Sequence, residues 1–344
     1  MKILIVSTIM PFIMGGGELI VDWLDKALQK YGHTTEVIKI PFHLYAPEMV
    51  EQMLALRLLD VKEYADLLIA IRTPSYIIDH PNKVVWFIHH HRQAYDLWGT
   101  YQDVPNTPEG LRIRETIIQA DNRYLRQAKK IYTNSRVVSE RLKKFNNIDS
   151  EVLYPPLMDA EQYCCEKAGD YFFYPSRITM LKRQYLAIES MKYTRSNAKL
   201  IVAGHPDTPE QFQYIKTIIE REHLQDKVKL IGNWISQEEK IELFARSLGC
   251  IFIPLDEDSY GYVTLEAYHS RKPVITCSDS GGTLELVENG VNGRVVQSDP
   301  KIIAMAMDDL FNYRSVAARM GQTGYEKLTS MNITWDHVVE KLTG

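Results

Sequence analysis

The stretch from Pro254 to Val295, PLDEDSYGYVTLEAYHSRKPVITCSDSGGTLELVENGVNGRV, decides the fold. It opens where a buried strand, Gly249-Cys-Ile-Phe-Ile-Pro254, ends, and it runs into an acidic loop. It then enters a helix near Gly261, whose apolar Val263, Leu265 and Ala267 are placed to pack on a sheet. After Arg271-Lys272-Pro273 comes a short apolar strand, Val274-Ile-Thr-Cys277, then a Gly-Gly turn and a second helix carrying Glu285. Strand, loop, helix, strand, turn, helix is the grammar of a doubly wound parallel sheet. Such sheets bind ligands at the carboxyl ends of their strands. Asp258, Gly261, Glu266, Gly281, Gly282 and Glu285 all fall at or just beyond those ends.

The chemistry of this stretch follows from its helix start. A helix beginning at Gly261-Tyr262-Val263 leaves backbone N–H groups without intrahelical partners, and its dipole favours an anion there. Asp258 sits in the loop before it and Glu266 about a turn inside it. Carboxylates are good acceptors for the vicinal hydroxyls of a ribose or a hexose. Anion-binding amides between two hydroxyl-binding acids suit a nucleotide sugar. On spacing alone the same residues read equally as a helix cap, Asp258, and a solvated or ion-paired surface acid, Glu266.

These residues also resemble the signature of retaining glycosyltransferase family 4. That pattern is an acid, seven residues, a glutamate, then Ala, a Pro-Val strand and Gly-Gly-x-x-Glu. Here it is Asp258 to Glu266, Ala267, Pro273-Val274 and Gly281-Gly282-Thr283-Leu284-Glu285, followed by Asn289-Gly290 and Asn292-Gly293. The chain departs from the family in carrying Asp258 where glutamate is usual, a side chain shorter by about 1.5 Å. The resemblance implies an α/β protein of the GT-B fold, two Rossmann-like doubly wound domains facing a central cleft.

Composition agrees with a globular enzyme. At 344 residues the chain exceeds the size at which one core stops growing, so two domains are expected. Hydrophobic residues make up 45% and charged residues 24%, ordinary values for a globular enzyme. A net charge of -4 gives no reason to expect nucleic acid as a partner. Cys164, Cys165, Cys250 and Cys277 form no C-x-x-C pair, which argues for a reducing compartment and against a metal cluster or disulfide framework. Met1 leads directly into a strand, with no signal peptide and no bilayer-spanning apolar run. These features predict a cytoplasmic protein, and Asn332-Ile-Thr334 is then a chance match to a glycosylation sequon.

In the first half, Lys2-Ile-Leu-Ile-Val-Ser7 reads as a buried strand. Gly15-Gly16-Gly17-Glu18 and an amphipathic helix over about 19–31 follow it. Glycines after a first strand let backbone amides approach a ligand closely; a plain turn reads equally well. With Tyr31-Gly32-His33 ahead of the next strand, the run resembles the family's Gly-Gly-Ala-Glu and Gly-His. The resemblance implies that Gly16 and Gly17 face the donor diphosphate and the acceptor.

Further strands are expected at Thr35–Ile40, Ala65–Ile71 and Val84–Ile88, the last ending in His89-His90-His91-Arg92. Neighbouring side chains diverge in regular structure, so three adjacent histidines do not converge on one metal. One histidine at a strand end is a candidate for hydrogen-bonding a sugar hydroxyl; a capped loop of solvent-exposed imidazoles is the plainer reading. The family's histidine just after this strand points to His89, with His90 and His91 as fallbacks. Tyr101 to Glu109 reads as an acceptor-side loop. Two basic helices follow, with Arg112, Arg114, Arg123 and Arg126 on one and Arg136, Arg141, Lys143 and Lys144 on the other. They read as solvated faces or as a surface for anionic lipid headgroups, where a lipid-linked acceptor would sit.

The extended Val152-Leu-Tyr-Pro-Pro-Leu-Met-Asp159 is the natural domain boundary. It separates an acceptor-side domain over 1–155 from a donor domain over 156–332. By resemblance, a terminal helix over 333–344 packs back on the first. The second sheet begins with Tyr171-Phe-Phe-Tyr-Pro175 and enters Ser176-Arg177-Ile-Thr-Met-Leu-Lys182-Arg183. Arginine and lysine at a strand end are good phosphate partners, and at this separation they match the family's diphosphate-neutralising pair. Strand Lys199–Ala203 ends at Gly204, and strand Lys227–Ile231 ends at Gly232-Asn233-Trp234; the family's equivalent of the latter loop meets the nucleobase.

The resemblance therefore implies a retaining, metal-independent transferase moving a hexose-type sugar from a UDP- or GDP-sugar to a hydroxyl of a glycan or lipid-linked acceptor. Arg177, Lys182, Asp258 and His89 would serve the reaction. Gly16, Gly17, Gly204, Gly232, Asn233, Tyr260, Gly261, Tyr262, Val263 and Glu266 would bind the donor. No cofactor is expected, although Asp256-Glu257-Asp258 fits the D-x-D metal pattern of the other glycosyltransferase fold. The protein would be cytoplasmic, with possible contact to the inner membrane face. The rival readings are a nucleotide-sugar epimerase on the same fold and a binding-only relative.

Overall fold

A computed structural model describes residues 1–12, 15–43, 48–100 and 106–344. It divides into two compact units, Met1–Pro156 with Ile333–Gly344, and Leu157–Asn332. The first contains β1 (Lys2–Ile9), α1 (Gly16–Lys30), β2 (Thr34–Pro41), α2 (Met49–Arg57), β3 (Leu67–Ala70), β4 (Lys83–Phe87), α3 (Pro108–Tyr124), β5 (Lys130–Thr133), α4 (Arg136–Asn146) and β6 (Glu151–Val152). The second contains β7 (Tyr171–Pro175), α5 (Gln184–Ser190), β8 (Lys199–Ala203), α6 (Pro209–Arg221), β9 (Val228–Ile231) and α7 (Gln237–Arg246). It continues with β10 (Gly249–Ile251), α8 (Tyr262–His269), β11 (Val274–Cys277), β12 (Gly293–Val296), α9 (Pro300–Asn312) and α10 (Arg314–Ser330). The last helix, α11 (Trp335–Thr343), belongs to the first unit.

Each unit is built on one six-stranded sheet, ordered β2-β1-β3-β4-β5-β6 in the first and β12-β11-β10-β7-β8-β9 in the second. The strand pairs are parallel. Parallel strands covered by helices on both faces need continuous apolar runs, and Ile3 to Val6 supply one in β1, all buried. Alternate residues of that run serve different cores. Ile3 and Ile5 pack with Leu24 and Leu28 of α1 and with Val338 and Leu342 of α11. Leu4 and Val6 pack with Met53, Ile117 and Leu142 on the other face. Helix α11 is held further by an edge-on contact of Trp335 with Trp86, ring centroids 6.5 Å apart, and by the Tyr132 hydroxyl donating to Lys341 O at 2.9 Å.

One expected element is different. The helix expected to carry Glu285 is a single 3-10 turn, Gly282–Glu285. It stops because Asn292 folds the next residues into a turn: its side chain accepts from Glu288 N at 2.7 Å and donates to Leu286 O at 2.9 Å. The chain then re-enters the sheet as β12. Val263 is half-buried rather than part of an alternating apolar face, and the middle of α8, Thr264 to Tyr268, is buried all round.

Trp86 is the largest fully buried side chain, and its indole N–H donates to Leu153 O at 3.0 Å. Trp86→Ala should therefore lower stability by about 3–5 kcal/mol, measured as a drop in the urea midpoint; a change below about 1 kcal/mol would mean that α11 does not seal this core.

Candidate functional site

In the second sheet the order of strands reverses between β7 and β10, the place where loops diverge to opposite faces and leave a crevice. The segments that follow these two strands meet there. Leu255 N donates to Leu181 O at 2.8 Å. The Lys182 ammonium pairs with the Glu257 carboxylate and lies 5.3 Å from the centroid of the Phe252 ring. The start of α8 rests on the same ring: at Gly261, with φ +70°, a Cβ would come 2.5 Å from Phe252 Cε1. Lys182 and the Gly261 helix start thus share one aromatic support. Six other helices open on a Ser, Thr or Asp whose side chain accepts from their first turn; α8 opens on Gly261 with no side-chain cap.

The acidic loop is held from below by the Gly-Gly turn. Gly282 N donates to Glu257 O at 2.8 Å, and Asp256 N to Asp279 O at 2.8 Å. A Cβ at Gly281 would sit 2.4 Å from Glu257 O, and one at Gly282 2.7 Å from Ser259 Cα. Arg183 ties the same loop from the side. It donates to both Asp279 carboxylate oxygens at 2.7 and 2.8 Å and to the carbonyls of Ile253 and Pro254 at 2.7 and 2.8 Å. The guanidinium holds the Asp279 carboxyl below its usual range.

Arg177 follows β7, with Nε 3.4 Å from Asp207. Gly204 allows the end of β8 to approach it, since a Cβ there would overlap Ser176 O at 1.9 Å. Gly232 has a packing reason of its own: a Cβ would stand 2.2 Å from Phe212 Cζ. Asn233 and Trp234 are exposed, and Trp234 stacks on His205 with centroids 6.4 Å apart. Asp258, Tyr262 and Val263 are half-buried around the helix start. Tyr260 is only 1% exposed, so its ring belongs to the core.

Glu266 is buried, and its Oε1 takes the Tyr163 hydroxyl at 3.0 Å and Lys240 Nζ at 2.5 Å. Gln237 donates to the same tyrosine oxygen at 2.9 Å. Burial and the adjacent Glu266 push the Tyr163 hydroxyl well up, so it stays a neutral donor. Sequence reasoning did not find Tyr163, Lys240, Arg183, Glu257 or His205. Their partners are far along the chain, and no spacing in the sequence marks the pairs.

The first sheet reverses between β1 and β3. Gly15 starts α1 without a side-chain cap; Gly16 is exposed and Gly17 half-buried. Glu18 in its first turn pairs with Arg72, which follows β3. A Cβ at Gly17 would touch Arg72 Nε at 3.4 Å. After β4, His89 is half-buried, with Nδ1 2.8 Å from His90 O. Burial, with Arg72 adding, pushes its imidazole down to about 3, so the ring is neutral.

His90 and His91 are instead core residues. His90 Nε2 lies 2.8 Å from Asn146 Oδ1, and its ring packs between Phe87 and Tyr95. Burial pushes both imidazoles down to about 4. Several residues of the two basic helices are engaged within the unit. Arg114 donates to Ala94 O at 2.9 Å and Arg126 to Asn146 O at 2.7 Å, while Lys143 pairs with Asp149 at 2.9 Å. Of the expected acceptor-side loop, 101–105 lie outside the described residues. Among the described residues no helix is long and apolar enough to cross a membrane, and no group of three or more His, Cys, Asp or Glu is placed to hold a metal.

Residues 165–327 match the family model of glycosyl transferases group 1. The chain is 28% identical over 211 residues to the Homo sapiens alpha-1,3/1,6-mannosyltransferase ALG2, covering 55% of this chain and 50% of that protein. It is 24% identical over 180 residues to the O-antigen chain mannosyltransferase C of Escherichia coli, covering 51% and 46%. The chain spans about half the length of the curated relatives it matches. Among solved structures, Anabaena Alr3699/HepE in complex with UDP and glucose superposes with a TM-score of 0.72 at 16% identity, over 99% of this chain and 98% of that one. WaaG, a glycosyltransferase involved in lipopolysaccharide biosynthesis, gives 0.73 at 12% identity over 100% of both chains. The fold is that of the GT-B glycosyltransferases.

The buried histidines make stability depend on pH. An imidazole depressed on folding stays neutral while the unfolded chain takes up protons, so stability is lost as the pH falls from about 6.5 toward 4. Asp121, raised to about 6 by burial, acts in the opposite sense between about 6 and 4. His90→Gln should flatten the fall by about 1.4 kcal/mol per pH unit, measured by urea unfolding at pH 7, 6 and 5; an unchanged slope would show that His90 takes up its proton alike in the folded and unfolded chain.

Proposed function

We propose, for a chain whose second unit belongs to the glycosyl transferases group 1 family, a retaining transferase that moves a hexose-type sugar. The donor is a UDP- or GDP-sugar, and the acceptor is a hydroxyl of a glycan or lipid-linked molecule. The observation that carries this reading is the meeting of Lys182 with the uncapped start of α8 over Phe252, one turn from the buried Glu266. A cation and the positive end of a helix suit a pyrophosphate, and a buried carboxylate suits a ribose diol. The mannosyltransferase relatives and the UDP held by the Anabaena protein support the choice of donor class.

In this reading Arg177, Lys182 and the amides around Gly261 stabilise the charge that grows on the diphosphate as the sugar leaves, which is electrostatic catalysis. Asp258 holds the sugar ring and Glu266 the ribose. Transfer then runs on one face of the sugar, with a donor phosphate oxygen taking the acceptor's proton. The cations and amides fill the role of a metal, so none is required.

Three measurements test this. UDP or GDP at 100 times its Kd should raise stability by about 2.7 kcal/mol, and Glu266→Gln should abolish the shift in melting temperature; no shift with UDP, GDP or ADP removes the donor reading. Arg177→Met and Lys182→Met should each lower kcat by about 10²–10³-fold, whereas unchanged rates would exclude the pair from the reaction. Turnover should survive EDTA and yield product of the donor's anomeric configuration; a magnesium requirement or an inverted product refutes those parts.

A further inference from the structure

We infer that Glu257 is the internal counter-ion of Lys182, occupying the ammonium that the donor diphosphate must take over, and that it thereby sets donor affinity. The inference rests on the donor reading above and lies wholly within the second unit.

Three observations carry it. First, the Lys182 ammonium is paired with the Glu257 carboxylate while also lying against Phe252, the ring that supports the Gly261 helix start. An anion at that helix start therefore reaches a lysine already engaged by a carboxylate. Secondly, Glu257 is not a freely swinging surface acid. Its backbone is locked by the Gly282 N–H at 2.8 Å and by the contact with Gly281 that a Cβ would fill, so its carboxylate is delivered to Lys182 by the fold. Thirdly, the pair is only part-buried, with side-chain exposures of 20% for Lys182 and 25% for Glu257, so water and a charged ligand reach it and the bond is exchangeable. An ammonium has three donors, and a diphosphate brings two charged groups to compete with one carboxylate for them.

The exchange is a swap of anions and breaks no covalent bond. In the unliganded chain Glu257 neutralises Lys182. With a diphosphate bound, Lys182 turns to the phosphate and Glu257 is released to solvent. The cost of that release is charged against every anion that enters, so a ligand offering one phosphate and no ribose or base gains little.

The test is a thermodynamic cycle on the full chain with UDP and GDP as probes, read by calorimetry at two salt concentrations. Glu257→Gln keeps the shape of the side chain and removes its charge, and it should tighten nucleotide binding on the order of 3- to 10-fold with a steeper loss of affinity in salt. In a Lys182→Met background the same change should bring little or no gain, because a counter-ion acts through its partner. Glu257→Asp, which keeps the charge, should bind like the wild type. A Glu257→Gln chain that folds normally but binds nucleotide no better, or worse, overturns the proposal and makes Glu257 a donor contact. A gain of equal size in both backgrounds also overturns it, by showing plain repulsion. If neither wild type nor Glu257→Gln binds any nucleotide, the donor reading falls and takes this inference with it; binding without gain removes this inference alone.

Discussion

The contact between the Gly281-Gly282 turn and the backbone of the acidic loop leaves no room for a side chain on either residue. It fixes the acidic loop that leads into α8. The loop after β10 would otherwise be free to move, since it is short of apolar anchors and carries three acids in a row. Pinned at Glu257 by a backbone bond from below and at Ile253 and Pro254 by Arg183 from the side, it hands its chain to α8 in one position. The positive φ of Gly261 then sets the start of that helix directly against Phe252. Sheet topology brings the loops together, and glycine stereochemistry fixes them at a distance no other residue allows.

The site is electrostatically balanced rather than strongly cationic. Arg177 faces Asp207, Lys182 faces Glu257, and Glu266 faces Lys240. Removing charges from water is costly unless they are paired, and a pocket of bare cations would weaken the unit that carries it. Pairing each charge locally keeps the fold stable without a ligand and leaves the partners exchangeable where they are part-exposed. The Glu266 cluster differs from the Lys182 pair in this respect. Two donors reach a single oxygen of a buried carboxylate, which orients the acid and leaves the other oxygen for a further partner.

Much of this was legible in the sequence, for physical reasons. Strands buried on both faces are continuous apolar runs, and β1, β4, β7, β8 and β11 are legible that way to within a residue or two. The helix start at Gly261 was legible because a glycine after an acidic loop and before an apolar run has few other uses. Contacts between distant residues were not. Arg183 and Asp279 are 96 positions apart and Tyr163 and Glu266 are 103 apart, and nothing local marks either pair. The helix expected at Glu285 failed because Leu284, Leu286 and Val287 look helical only until Asn292 bends the chain back on them.

Helix α11 lends Val338, Val339 and Leu342 to the core that contains Leu24, Leu28 and Trp86. The first unit is therefore assembled from two stretches of chain, with the whole second unit spliced between them. On the ribosome, the sheet that emerges first has α1 on this flank but lacks the part of the cover that Trp335–Thr343 supply until the other unit has all its strands. The order of synthesis and the order of completion are thus opposite, and the sheet with this gap in its cover is the species that nascent-chain chaperones would meet.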